Sequence, residues 1–194
     1  MAKRNEESYY PEIMTFIKAQ IESNFLASTK PLKVYCKTGE LKKGLHEIIK
    51  ENDIETKSII EFAERTPPLS LDIFALITDG IKYELLIVEV KLLGSVGLQQ
   101  LSQLIGYCIV SNAQHGLLIN VNGGESPRLL HLLSNEPDVT FIKRMLAYEK
   151  GIVEHNLGVM EWDSDSKNLI YTGYGKIQTI SHLCYHLAEE FNII

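Results

Sequence analysis

The chain has 194 residues, 45% hydrophobic and 23% charged. These are values of a folded globular protein, so disorder and fibrous architectures are excluded, and the length suits one domain built around a single core. The formal charge of -6 argues against a surface that grips nucleic acid everywhere, because Lys and Arg supply most non-specific affinity for phosphate; any such site is local. No apolar run approaches the roughly 20 residues of a membrane span. Residues 1–7 lack the apolar core of a signal peptide, so a cytoplasmic location is expected. Cys36, Cys108 and Cys184 are scattered and odd in number, and read as reduced packing residues.

In chain order, residues 9–26 place Ile13, Phe16, Ile17 and Ile21 at helical spacing, with Pro11 allowed in the first turn. LKVYCK then reads as a strand and ELKKGLHEIIKEN as a second helix. Lys30, Lys33, Lys37, Lys42 and Lys43 make this stretch basic, which a solvated face explains as well as a binding patch does. SIIEFAE is expected to be the first strand of the core. After Thr66-Pro67-Pro68 come the strand LSLDIFALI, the turn Thr78-Asp79-Gly80 and the strand KYELLIVEVK, all three expected as neighbours in one sheet.

Residues 96–111 carry a leucine-rich stripe and predict a helix, followed by the strand GLLINV. Gly123-Gly124 reads as a turn, since no Gly-Lys-Ser/Thr follows to make a phosphate loop. Ser126-Pro127 opens a helix, PRLLHLL. GVMEWDSDSKNLIYTGYG predicts a hairpin turning at 163–167, and a last helix spans 178–191. On it, His182 and His186 stand four apart, a spacing that can bind zinc, but without a third ligand they read as surface or packing residues. The fold class expected is α/β: a mixed central sheet flanked by helices, with a core over about 9–121 and a C-terminal hairpin and helix over 125–194.

The chemistry-bearing residues lie on the two central strands. Side chains alternate along a strand, so Glu89 and Lys91 share a face with Ile87, and Asp72 shares one with Phe74 and Leu76. If the strands pair through the Asp79-Gly80 turn, Asp72 falls opposite Glu89. Facing Cβ atoms are roughly 4.5–5.5 Å apart, so the two carboxylates can converge on one hard cation, with Lys91 beside it. Two such carboxylates repel unless a cation or proton intervenes. Magnesium, or manganese, is the expected occupant, and phosphodiester hydrolysis the chemistry such a cluster supports, with Lys91 orienting the attacking water.

Asp72, then Glu89-Val90-Lys91 ending an apolar strand, then a helix bearing Gln103 and Tyr107 resembles the PD-(D/E)XK nuclease superfamily, which includes restriction endonucleases, junction resolvases and RecB-type exonucleases. The resemblance covers about two thirds of the chain. It implies a restriction endonuclease-like αβββαβ core, with Asp72, Glu89 and the Val90 carbonyl holding Mg2+ (or Mn2+), and Asp72, Glu89 and Lys91 catalysing hydrolysis of DNA in restriction, repair or recombination. Gln103 and Tyr107 match the Gln-x-x-x-Tyr element of the RecB-like branch and by analogy contact substrate. Leu71 stands where the named pattern has proline. Many members add a carboxylate from the first helix, for which Glu7, Glu12 and, from the expected first strand, Glu61 compete. The acidic balance also suggests a homodimer that combines local basic patches, and the alternative reading is a non-catalytic module on the same fold.

Overall fold

The structure, a computed structural model, describes residues 5–145 and 151–194. A short 3₁₀ turn, Glu6–Tyr9, leads into α1 (Tyr10–Phe25), whose Ile13, Ile17, Ile21 and Phe25 recur at spacings of four and are buried. Strand β1 (Lys33–Glu40) follows, then α2 (Leu41–Glu51) and α3 (Lys57–Arg65). Strands β2 (Ser70–Thr78) and β3 (Tyr83–Lys91) form the hairpin expected from the Asp79-Gly80 turn. Both are buried nearly throughout, as strands covered on two faces must be.

SIIEFAE is not a strand. It forms α3, because Ile59 and Ala63 fall on one buried helical face while Lys57–Glu61 and Glu61–Arg65 pair one turn apart on the other. The outer strand of the antiparallel trio is LKVYCK, extended into β1, whose Val34 pairs with Ile77 and Tyr35 with Leu76. Helices α2 and α3 are thus a connection between β1 and β2.

The rest follows in order as the two-residue strand β4 (Ser95–Val96), α4 (Leu98–Ser111), β5 (His115–Val121), the two-residue β6 (Gly124–Glu125) and α5 (Pro127–Asn135). Then come β7 (Phe141–Met145), β8 (Ile152–Asp163), β9 (Asn168–Gly175) and α6 (Ile180–Glu190). Ser126 caps α5 through its Oγ, which accepts the Leu129 N–H at 3.3 Å.

The main sheet runs β1-β2-β3-β5-β8-β7, with β9 on the same edge of β8 as β7. β1, β2 and β3 are antiparallel, and β3, β5 and β8 run parallel, so the sheet is mixed, as expected. One face packs α1 and α6 on residues such as Ile73, Leu86, Val88 and Leu117. The other packs α2, α3, α4 and α5 on Phe74, Leu76, Ile87 and Leu118. Strands β4 and β6 pair in parallel as a small separate ribbon. Among the described residues no helix is long and apolar enough to cross a membrane.

Candidate active site

The β2–β3 register holds residue sums constant from Thr78–Tyr83 to Ile73–Val88, and its continuation sets Asp72 opposite Glu89. There the ladder ends, and a side chain replaces it: Asp72 Oδ2 accepts the Val90 N–H at 3.0 Å. The strands therefore splay, and a carboxylate fills the gap. Because N–H and C=O of one strand residue project to the same edge, the Val90 carbonyl faces the same opening.

Lys91 Nζ lies 2.5 Å from Glu89 Oε1 and 3.5 Å from Asp72 Oδ2. Strand alternation assigns all three side chains to the face that carries Phe74 and Ile87. They are largely withdrawn from water, with the Glu89 side chain 2% exposed, Lys91 17% and Asp72 23%. Burial pushes the Glu89 carboxyl above its ordinary value, Lys91 pulls it back, and the Asp72 charge pushes it further up. Burial works against the Lys91 ammonium, but Glu89, Asp72 and Glu6 outweigh it and hold the group above its usual range.

Glu6 is the carboxylate that the sequence reading missed. It sits in the 3₁₀ turn ahead of α1, where Oε2 accepts the Leu92 N–H at 3.1 Å and Oε1 accepts the Tyr10 hydroxyl at 3.2 Å. Tyr10 also adjoins Asp72; burial first, then Asp72 and Glu6, hold its phenol well above the usual tyrosine range. The three competitors lie elsewhere. Glu7 is exposed, Glu12 pairs with Lys167 at 3.8 Å, and Glu61 is on α3 with Lys57 and Arg65. The available signal was the spacing Glu6 to Tyr10, one helical turn.

Beside Lys91 in register stands Asn120 of β5, wholly buried. Its Oδ1 accepts the Leu93 N–H at 3.1 Å, and its Nδ2 donates to the Leu93 and Gly124 carbonyls at 3.0 and 3.2 Å. This one amide joins the chain leaving β3 to the chain leaving β5, and so seats the β4–β6 ribbon at the carboxyl ends of the parallel strands. Gly123 makes the close approach feasible: a Cβ there would lie 2.3 Å from the Leu93 carbonyl oxygen.

Gln103 and Tyr107 are on α4, on the same side of the sheet, with Gln103 exposed and Tyr107 half-buried against that face's core. Gln103 Nε2 donates to Tyr107 Oη at 3.0 Å, so the pair is joined to itself and, among the described residues, not bonded to Asp72, Glu89 or Lys91. The basic stretch is largely engaged: Lys37 with Glu47 and Glu51, Lys43 with Glu47, Lys42 with the Glu64 carbonyl and Lys30 with that of Phe191. His182 and His186 line a surface cavity of about 630 Å3 with Asp138, Lys176 and Tyr185. The three cysteines are free, as expected.

Among the described residues, no three or more His, Cys, Asp or Glu side chains converge closely enough to hold a metal ion. A cation at Asp72 and Glu89 would rest on those two carboxylates, the Val90 carbonyl, and water or phosphate. That all-oxygen set suits magnesium, which keeps several waters and takes one or two carboxylates. Two carboxylates with Glu6 adjoining, against the single charge of Lys91, also leave negative charge for a cation to offset. Searches against protein-family models, curated proteins and solved structures gave no match.

Proposed function

We propose that the chain is a metal-dependent nuclease of the PD-(D/E)XK type that hydrolyses phosphodiester bonds in DNA. The observation that carries the reading is the convergence of Asp72, Glu89 and Lys91 at the splayed end of one hairpin, with Lys91 within 3.5 Å of both carboxylates. The order helix, antiparallel β1-β2-β3, α4, then β5 parallel to β3 supports a restriction endonuclease-like core with α2 and α3 inserted.

In this reading Asp72, Glu89 and the Val90 carbonyl would hold Mg2+ (or Mn2+), which when bound supplies a Lewis acid for the phosphate. The Lys91 ammonium donates to the attacking water and orients it toward phosphorus, and its charge stabilises the oxygens that gain charge in the transition state. Water adds to phosphorus and releases a proton to the surrounding water, the bond to the leaving oxygen breaks, and that oxygen takes up a proton from the surrounding water, giving a phosphomonoester and an alcohol. Tyr10, whose hydroxyl is bonded to Glu6, adjoins Asp72 from the N-terminal side and helps to position it. In the same reading Gln103 and Tyr107 would contact the substrate from α4. A homodimer in the cytoplasm, able to cut both strands of a duplex, belongs to the same proposal.

The test incubates the protein with labelled single-stranded, duplex and branched DNA in Mg2+ or Mn2+. Cleavage is expected, and Lys91→Ala and Asp72→Asn are each expected to slow it by at least about 10²-fold. Undiminished cleavage by Lys91→Ala would overturn the assigned role. Absence of cleavage by the unaltered chain on every substrate would favour a non-catalytic module.

A further inference from the structure

The opposite end of the sheet carries polar side chains that this chemistry does not use. Glu84 lies near the start of β3, His115 opens β5, and Asn156 is in β8. Alternation assigns all three to the face covered by α1 and α6, since Leu86, Leu117 and Met160 of the same strands pack there. Register makes them a row: His115 pairs with Asn156 on one side and on the other with Leu86, two residues on from Glu84. They are 9%, 0% and 4% exposed. Among the described residues, Glu84 Oε2, both His115 ring nitrogens and Asn156 Oδ1 have no hydrogen-bond partner. Orphaned polar atoms at such depth are costly and uncommon in native folds.

Helix α6 packs on this same face through Leu183 and Leu187, which brings His186 within electrostatic reach of His115 and Glu190 within reach of Glu84. The helix C-terminus is clamped by two ammonium groups, Lys82 Nζ on the Glu190 carbonyl at 3.0 Å and Lys30 Nζ on that of Phe191 at 2.9 Å, where cations suit the helix dipole. Other charges nearby are Glu154 beside Glu190, itself paired with Lys143 at 2.8 Å, and Glu189 and Lys176 beside His186. Lys82 is therefore the one cation positioned to offset both Glu84 and Glu190 among the described residues.

We propose that Glu84 carries a proton while α6 is docked, and that loss of this proton releases the helix, so that α6 is a proton-linked latch on the sheet. Ionised, Glu84 would be a buried charge within reach of a second carboxylate, Glu190, whose carbonyl is bonded by Lys82 two residues before Glu84. Burial first, then Glu190, pushes its carboxyl up to about 8, with Lys82 opposing. His115 cannot supply a counter-charge at neutral pH, because burial and then His186 lower it to about 3. With α6 lifted, Glu84 meets water and titrates near the ordinary value of about 4.3. The undocked state then gains about tenfold in population per pH unit until the docked carboxyl itself titrates.

The test is amide hydrogen exchange of residues 180–190 in the full chain from pH 6 to 9, corrected for the intrinsic exchange rate. Protection is expected to fall about tenfold per unit from about pH 6.5 to 8 and then level, while Glu84→Gln stays protected and flat. The same slope in Glu84→Gln, or a flat profile in the unaltered chain, overturns the latch. Carboxyl carbon NMR of Glu84 gives an independent reading that needs no variant. A midpoint above 7 supports the proposal and one in the ordinary carboxylate range overturns it.

Discussion

Replacing Lys91 with alanine leaves Glu89 without its counter-charge. The Glu89 side chain is 2% exposed, Lys91 lies at 2.5 Å, and its other charged neighbours, Asp72 and Glu6, are carboxylates. Removing one partner of a buried pair costs about 3–5 kcal/mol, since the remaining charge is both desolvated and unpaired. Asp72→Ala should cost much less, about 1–2 kcal/mol, because Glu89 and Lys91 keep each other and the main loss is the bond from the Val90 N–H. The pH dependence has a definite sign. Without Lys91 the folded-state carboxyl of Glu89 rises further above its unfolded value, so its stability is present at low pH and lost as pH increases. Urea denaturation should show a larger Lys91→Ala deficit at pH 8 than at pH 5.5. If a cation can occupy the site, Mg2+ at a hundred times its dissociation constant should restore about 2.7 kcal/mol. A deficit under about 1 kcal/mol at pH 8, or one that grows on acidification, refutes the reasoning.

Asn120→Ala removes three bonds between the strand ends and should cost roughly 2–3 kcal/mol in urea denaturation, with faster exchange of the Leu93 amide. Ser126→Ala removes the α5 cap and should cost about 1 kcal/mol by the same measurement. Gly123→Ala drives a methyl group against a main-chain oxygen that cannot rotate away, and about 1–3 kcal/mol of destabilisation is expected. Two buried groups shape the global pH profile with opposite signs. His115, lowered to about 3, contributes stability that is lost as pH falls below its unfolded value near 6.5. Glu84, raised to about 8, contributes stability that is lost as pH climbs from its unfolded value. Urea midpoints taken across the pH range should therefore reach a plateau between about 4.5 and 6.5 and decline on either side.

How much of this was legible in the sequence depended on whether local pattern and tertiary context agreed. The β2–β3 hairpin did agree: two apolar runs flank an Asp-Gly turn, and counting from that turn placed Asp72 opposite Glu89. Helices α1, α4 and α5 were equally plain, α1 from its periodicity and Pro11, α4 from its leucine-rich stripe, and α5 from the Ser126-Pro127 start. SIIEFAE reads as a strand because four of its seven residues, Ile59, Ile60, Phe62 and Ala63, are apolar in a run too short for period to decide, and the helical signal lies in the pairing of Glu61 with Lys57 and Arg65 just outside it. Strand β7 was missed because its residues, Phe-Ile-Lys-Arg-Met, are mostly half-exposed and carry little alternation. Glu6 escaped notice because it bonds through the main chain of Leu92, 86 residues away, a contact no local pattern encodes.

The position of the charged cluster follows from how the hairpin ends. Within a ladder every backbone group has a partner, so a charged side chain gains nothing from the strands themselves. Where β2 turns away to pair only with β1, through Leu71 and Ser70, the Val90 N–H loses its strand partner and Asp72 supplies one. Two residues later the Leu92 and Leu93 amides are taken by Glu6 and Asn120 in the same way. Asp72, Glu6 and Asn120 thus do what neighbouring strands would have done, and two of the three bring negative charge to the mouth of the gap. Glu89 and Lys91 face the same gap, so the termination of the sheet and the assembly of the candidate active site are one arrangement. For that reason Asp72→Asn is the informative variant: the amide oxygen can still accept the Val90 N–H while the charge is gone. It should keep urea stability within about 1 kcal/mol and lose cleavage, whereas a loss of both in equal measure would mean that Asp72 serves the fold alone.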